Sequence, residues 1–184
     1  MLWNYENSVG AAAYPPVHWP ANTRVELATG EATLVMVAHP RCPCSRASIG
    51  ELALIMTQCQ GRVSGYVLFV RPEGFPDQWA RTDLWDSAAR IPGVTALNDE
   101  GGVEAARFNA VTSGTTMLYG ARGELLFSGG ITGSRGHSGD NDGRSAIVAL
   151  LTNENTDRST TAVFGCSIVD PENAPCEGEK QCSK

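Results

Sequence analysis

Hydrophobic positions along this chain fall into two periods, and the changes between them outline the fold. "ATLVMVA", residues 32–38, is an unbroken apolar run of strand length with β-branched residues, the pattern of a strand buried on both faces. Beyond it Leu52, Ile55, Met56 and Cys59 recur at i, i+3, i+4 and i+7, one face of a helix that Gly61 ends. "GYVLFV", residues 65–70, predicts a second buried strand. Two such strands joined by a helix make a βαβ unit, parallel and right-handed in its crossover.

Weaker signals fill in the rest. A short first strand is expected at Val25–Leu27, a helix capped by Asp77 and running to Ala89, a third strand at Gly93–Asp99, and a short helix in "GGVEAARF". "TTMLYGARGELLFSGG" predicts a hairpin, with strands Thr115–Tyr119 and Glu124–Ser128 about a turn at Ala121-Arg122-Gly123. "NDGRSAIVALLTNE" predicts a last helix with Asp142 as N-cap and Ile147, Leu150 and Leu151 facing inward. From Asp170 onward there is little to bury, and that tail is expected to be disordered unless a disulfide pins it.

This order implies an α/β fold, one mixed sheet with helices on both faces, in three α/β/α layers. A length of 184 residues suits one packed domain. No internal repeat or domain boundary interrupts it, so the expected division is an N-terminal arm at 1–22, the domain at 23–169 and a cysteine-containing tail at 170–184. The net charge of -6 carries no nucleic-acid footprint. No apolar run reaches the ~18–20 residues of a membrane helix, and the N-terminus lacks a signal-peptide pattern. Trp3 and Tyr5 precede a Pro-rich stretch, the composition of an arm that packs on the domain or of interfacial aromatics beside a membrane.

Six cysteines, at 42, 44, 59, 166, 176 and 182, exceed the usual load of a cytosolic domain and favour an oxidising compartment. Two of them sit in "HPRCPCSRAS", between the first long strand and its helix. Cys42 and Cys44 therefore meet the unpaired N–H groups and positive end of a helix, which favour negative sulfur. Arg41, Arg46 and His39 add positive charge, against the ~8.5 of an ordinary thiol. A thiolate there would attack a disulfide and be resolved by a second thiol. Cysteines two apart close on each other only in a tight turn, so a Cys42–Cys44 bond is expected to be strained and labile.

Two other readings of the pair stand beside this one. Core packing suits a strand–helix turn poorly. Metal binding would use Cys42 and Cys44 with Cys166 and an imidazole from His39 or His137, a donor set for Cu(I), Zn or an iron–sulfur centre. Cys59 lies on the apolar helix face and is expected to be buried and inert. His18 is expected to be structural or solvated. Cys166, in "AVFGCSI", is open between a third active-site thiol, a structural partner and a ligand, and Cys176 with Cys182 would suit a small tail disulfide. The glycines of residues 129–136 do not lead from a parallel strand into a helix at dinucleotide-site spacing.

The element order, with "VMVAHPRCPCSRAS" at the first strand–helix turn, resembles the thioredoxin fold. In the best register Pro43-Cys44 matches the Pro-Cys of that family. Arg41 takes the place of its first cysteine, and the pair becomes Cys-x-Cys. "SGTTMLYGARGELLFSGG" resembles the cis-proline segment and hairpin, with Thr115 in the proline's place, where it would line the substrate contact. "HPRCPCSRAS", "LLFSGGITGSRGHSGDN" and "VFGC" are similar to the RedB group of thioredoxin-like proteins, over about residues 14–166. The thioredoxin resemblance implies thiol–disulfide exchange with protein thiols or disulfides and a redox disulfide in place of a cofactor, and the RedB resemblance implies an extracytoplasmic setting, since relatives commonly carry an N-terminal membrane anchor. In such a fold the loop of residues 129–143 leaves the sheet near the cysteine helix. Arg135 and His137 would then reach the sulfurs, to stabilise a thiolate or transfer a proton, unless the loop is merely solvated. The Pro-x-x-x-Thr/Ser-x-x-Cys run of this fold's peroxidases is missing, which disfavours peroxide reduction.

Overall fold

The structure, a computed structural model, describes residues 8–168. Its five strands are β1 Ala32–Ala38, β2 Val63–Arg71, β3 Val94–Glu100, β4 Thr116–Tyr119 and β5 Leu125–Gly129. The helices are α1 Pro43–Gln58, α2 Asp83–Ala89, α3 Val103–Arg107 and α4 Asp142–Thr152. The sheet order is β3-β2-β1-β4-β5. β1 runs parallel to β2 and β2 to β3, while β4 is antiparallel to both β1 and β5. A βαβ half followed by a β-hairpin, closed by a helix, is the thioredoxin-like α/β fold.

The unbroken apolar run of β1 follows from burial on both faces. Leu34, Met36 and Ala38 enter one core with Leu52 and Ile55 of α1, Leu84 of α2 and Ile147 of α4. Val35 and Val37 enter the other with Leu68, Phe108, Met117 and Tyr119. The helices expected on both faces are unevenly shared. The second face is covered by α3 and by the N-terminal arm, whose Trp19 packs edge-on against Phe108 and Tyr119 at centroid distances of 5.4 and 5.1 Å. The arm also pairs with the hairpin: Trp19 N donates to Gly123 O at 2.7 Å and Leu125 N to Val17 O at 2.9 Å.

Several local expectations change. Val25–Leu27 forms no strand; Val25 is buried under the second face without joining a ladder. The helix expected from Asp77 to Ala89 is broken into a 3-10 turn at Asp77–Trp79 and α2, because Thr82 is extended and restarts the chain. Asn141, not Asp142, caps α4, its side chain accepting from Arg144 N at 2.8 Å. Gly61, with φ +74, turns the chain after α1 as expected. No helix among the described residues is long and apolar enough to cross a membrane. Trp3, Tyr5, Cys176 and Cys182 lie outside the described residues.

Candidate functional site

The site forms where β1 ends and α1 begins. Cys42 is the N-cap of α1, with extended backbone (φ -93, ψ 125), and a proline occupies the first turn where its missing N–H leaves no bond unmade. The turn is closed by Cys42 N donating to His39 O at 3.2 Å and Ser45 N to Cys42 O at 3.0 Å. Arg41 N donates to His39 Nδ1 at 3.2 Å, and the His39 ring meets Trp79 edge-on. Burial pushes the His39 pKa down, so the imidazole is neutral at physiological pH.

A third sulfur completes the site. Cys166 Sγ lies 3.4 Å from Cys42 Sγ, although 124 residues separate them. Cys166 sits on a segment that returns beside residues 111–113, just before β4, and is held there by the backbone. Ser113 N donates to Cys166 O at 2.8 Å and Ile168 N to Val111 O at 2.9 Å. The approach is so close that a Cβ on Gly165 would fall 1.8 Å from Ser113 O, which is why "FGC" has a glycine there. Ser113 also holds the cysteine turn, its Oγ accepting from His39 N at 3.0 Å and pairing with Ser45 Oγ at 2.9 Å. One residue thus fixes Cys42 and Cys166 against each other.

Three neighbouring sulfurs cannot all ionise, and the surroundings select which one does. The Cys42 thiol is held well below the ordinary thiol range by hydrogen bonds from Cys166 and from Cys44, reinforced by the backbone N–H groups of Cys44 and Ser45 at the helix start. These outweigh its burial. Cys44 is pushed up by Cys166 and Cys42, and Cys166 by Cys42. The negative charge therefore rests on Cys42, with two neutral thiols as its donors. Cys42 and Cys44 are buried, at 4% and 6% exposure, whereas Cys166 is partly exposed.

The cations expected around the sulfurs are distributed differently. The Arg41 guanidinium lies over the Trp79 ring, and Arg46 is paired with Asp83 at 2.5 Å. Arg135 does reach the cluster, with Nη1 3.9 Å from Cys166 Sγ and Nε donating to Ser8 O at 3.0 Å. His137 is exposed in a turn with Ser134. Among the described residues no group of three or more His, Cys, Asp or Glu is arranged to hold a metal ion. Thr115 is fully buried and its hydroxyl donates to Thr112 O at 2.7 Å; no cis peptide bond occurs among the described residues. Cys59 is buried, which raises its pKa, as its place on the apolar helix face predicts.

Two residues that shape the site escaped the sequence reading. Ser113 had no motif to mark it. Glu51, 1% exposed in α1, accepts from Gly139 N at 2.7 Å, Asn141 Nδ2 at 3.2 Å and Arg144 Nη1 at 2.5 Å. It anchors the loop that carries Arg135. An acid four positions before Ile55, on the apolar face of the helix, was the available signal.

Fold and site together define a thioredoxin-like α/β fold with a cysteine turn at the start of its first helix. No family model and no curated protein matches the chain. Among solved structures it is similar to a hypothetical protein of Sinorhizobium meliloti, with a TM-score of 0.63 and 20% identity over 88% of this chain and 93% of that one. It is also similar to an uncharacterized conserved protein of Geobacillus kaustophilus, with a TM-score of 0.59 and 18% identity over 90% and 95%. These likenesses establish the fold alone.

Proposed function

We propose that this protein carries out thiol–disulfide exchange at Cys42, with Cys44 and Cys166 as the thiols that support it. The observation carrying this reading is the placement of one sulfur at a helix N-cap within hydrogen-bonding reach of two others, which makes it a stabilised thiolate. A stabilised thiolate is both a nucleophile at neutral pH and a good leaving group, the two abilities exchange requires. The Cys-Pro-Cys turn and "VFGC" suit the RedB-like resemblance, and the substrates this chemistry takes are protein thiols or disulfides. The same chemistry suits a setting outside the cytoplasm, where a labile disulfide is not continually reduced.

The alternative use of these sulfurs, holding a soft metal ion, is separated by one experiment. Protein purified anaerobically is assayed for metal and for the thiols it releases from a small disulfide. Exchange predicts stoichiometric release without bound metal. A stoichiometric metal that disappears in Cys42→Ser, with no disulfide reduced, would reverse the reading.

A further inference from the structure

We propose that the working disulfide joins Cys42 to Cys166 rather than to Cys44, and that Cys166 is the sulfur an external thiol attacks. This rests on the exchange reading and names the partner within that site. Three observations carry it. The Cys42 and Cys166 sulfurs lie 3.4 Å apart, so bond formation needs only a small approach. Ser113 fixes the two segments to each other through its amide and its hydroxyl. Of the three sulfurs, Cys166 is the one with substantial exposure, while Cys42 and Cys44 are buried.

The roles follow from which sulfur is reachable and which leaves best. In the oxidised protein a partner's thiolate attacks Cys166 Sγ. The Cys42–Cys166 bond breaks, its electron pair leaves on Cys42, and a mixed disulfide forms between Cys166 and the partner. Cys42 is the favoured leaving group because the helix N-terminus and the Cys44 thiol stabilise its negative charge. A second thiolate of the partner then attacks the partner's own sulfur. Cys166 departs, assisted by the Arg135 guanidinium 3.9 Å away, and takes a proton from solvent. The partner has lost two electrons to the Cys42–Cys166 pair. An external disulfide restores the oxidised state by the reverse steps. Cys44 forms no covalent bond in this cycle; it is a hydrogen-bond donor to Cys42.

The test is disulfide mapping of the full chain in three forms: unaltered, Cys44→Ser and Cys166→Ser. Each is reduced, oxidised with oxidised glutathione, quenched in acid, alkylated and digested. The inference predicts a Cys42–Cys166 linked peptide in the unaltered chain and in Cys44→Ser, and its loss in Cys166→Ser. Oxidised Cys44→Ser, challenged with reduced glutathione, is predicted to carry the trapped adduct on Cys166. A Cys42–Cys44 linkage in the unaltered chain, with Cys44→Ser unable to close any site disulfide, would overturn the inference and leave exchange standing. An adduct found on Cys42 would overturn the assignment of Cys166 as the entry sulfur. If neither linkage forms and no thiol is exchanged, the functional reading falls together with it. Serine at 166 replaces a partly exposed side chain of the same shape, so folding is expected to survive.

Discussion

Cys42→Ser is expected to abolish exchange, with a loss on the order of a thousandfold or more, because it removes the thiolate that closes the internal disulfide and leaves when that bond is opened. A hydroxyl at the same N-cap has no comparable nucleophilicity or leaving ability at neutral pH. Steady-state reduction of a small disulfide, or oxidation of a small thiol, measures the loss; retention of more than a tenth of the activity (on the ~1.4 kcal/mol per tenfold scale) would move the chemistry to another sulfur. Cys44→Ser should be milder. It deletes a hydrogen bond to the Cys42 thiolate, and a hydrogen bond to a charged group is worth about 1.5–3 kcal/mol. It should therefore slow turnover and raise the Cys42 pKa rather than stop the reaction.

The same charge ties redox state to stability. In the folded, reduced protein the Cys42 pKa lies below its unfolded value of ~8.5. The folded state then holds fewer protons than the unfolded state between the two values, so its stability rises with pH across that range. The contribution is complete above pH ~8.5 and is lost as pH falls through the folded-state value. Cys44 and Cys166 are shifted upward, so they oppose this only at higher pH.

The second large effect is expected at Glu51→Ala. Glu51 is 1% exposed and is the shared acceptor of Arg144, Asn141 and the Gly139 amide. Removing it takes the buried partner from the Arg144 guanidinium, which keeps only exposed Asp140, and the acceptor from the Gly139 amide, while Asn141 Nδ2 still donates to Gly139 O. Breaking a buried ion pair from one side costs about 3–5 kcal/mol. Arg144 retains 14% exposure, which puts the expected cost at the lower end. At ~2–4 °C per kcal/mol for a chain of this size, Tm should fall on the order of 10 °C. The contrast is Arg46→Ala, whose ion pair with Asp83 is more than half exposed on both sides and whose loss should change Tm little. A fall at Arg46 as large as at Glu51 would contradict this account of what holds the loop.

The strands that position the site were legible because burial on two faces leaves a short apolar run rich in β-branched residues. β1 appears at Ala32–Ala38 as its residues predict, and α1 follows from the spacing of Leu52, Ile55, Met56 and Cys59. Val25 misled the reading because a β-branched residue can be buried by side chains without joining a ladder. The cysteine turn was legible as the start of a helix, since a helix N-terminus follows from local pattern. Its partner was not. Cys166 meets Cys42 across 124 residues, through a hydrogen bond from the Ser113 amide and a Gly165 close contact that leave no periodic trace. The arginines misled for a related reason: sequence proximity placed Arg41 and Arg46 by the sulfurs, but aromatic and acidic neighbours engage both elsewhere.

The central claim is that Cys42 is a thiolate held between two neutral thiols, and its ionisation can be read directly. The far-ultraviolet absorbance of the reduced chain, titrated from about pH 9 to pH 4 beside Cys42→Ser, reports thiolate against an ordinary thiol midpoint of ~8.5. The account predicts one thiolate in the unaltered chain that persists well below pH 7 and is missing from the variant. Coincident curves, both with midpoints near 8.5, would contradict it.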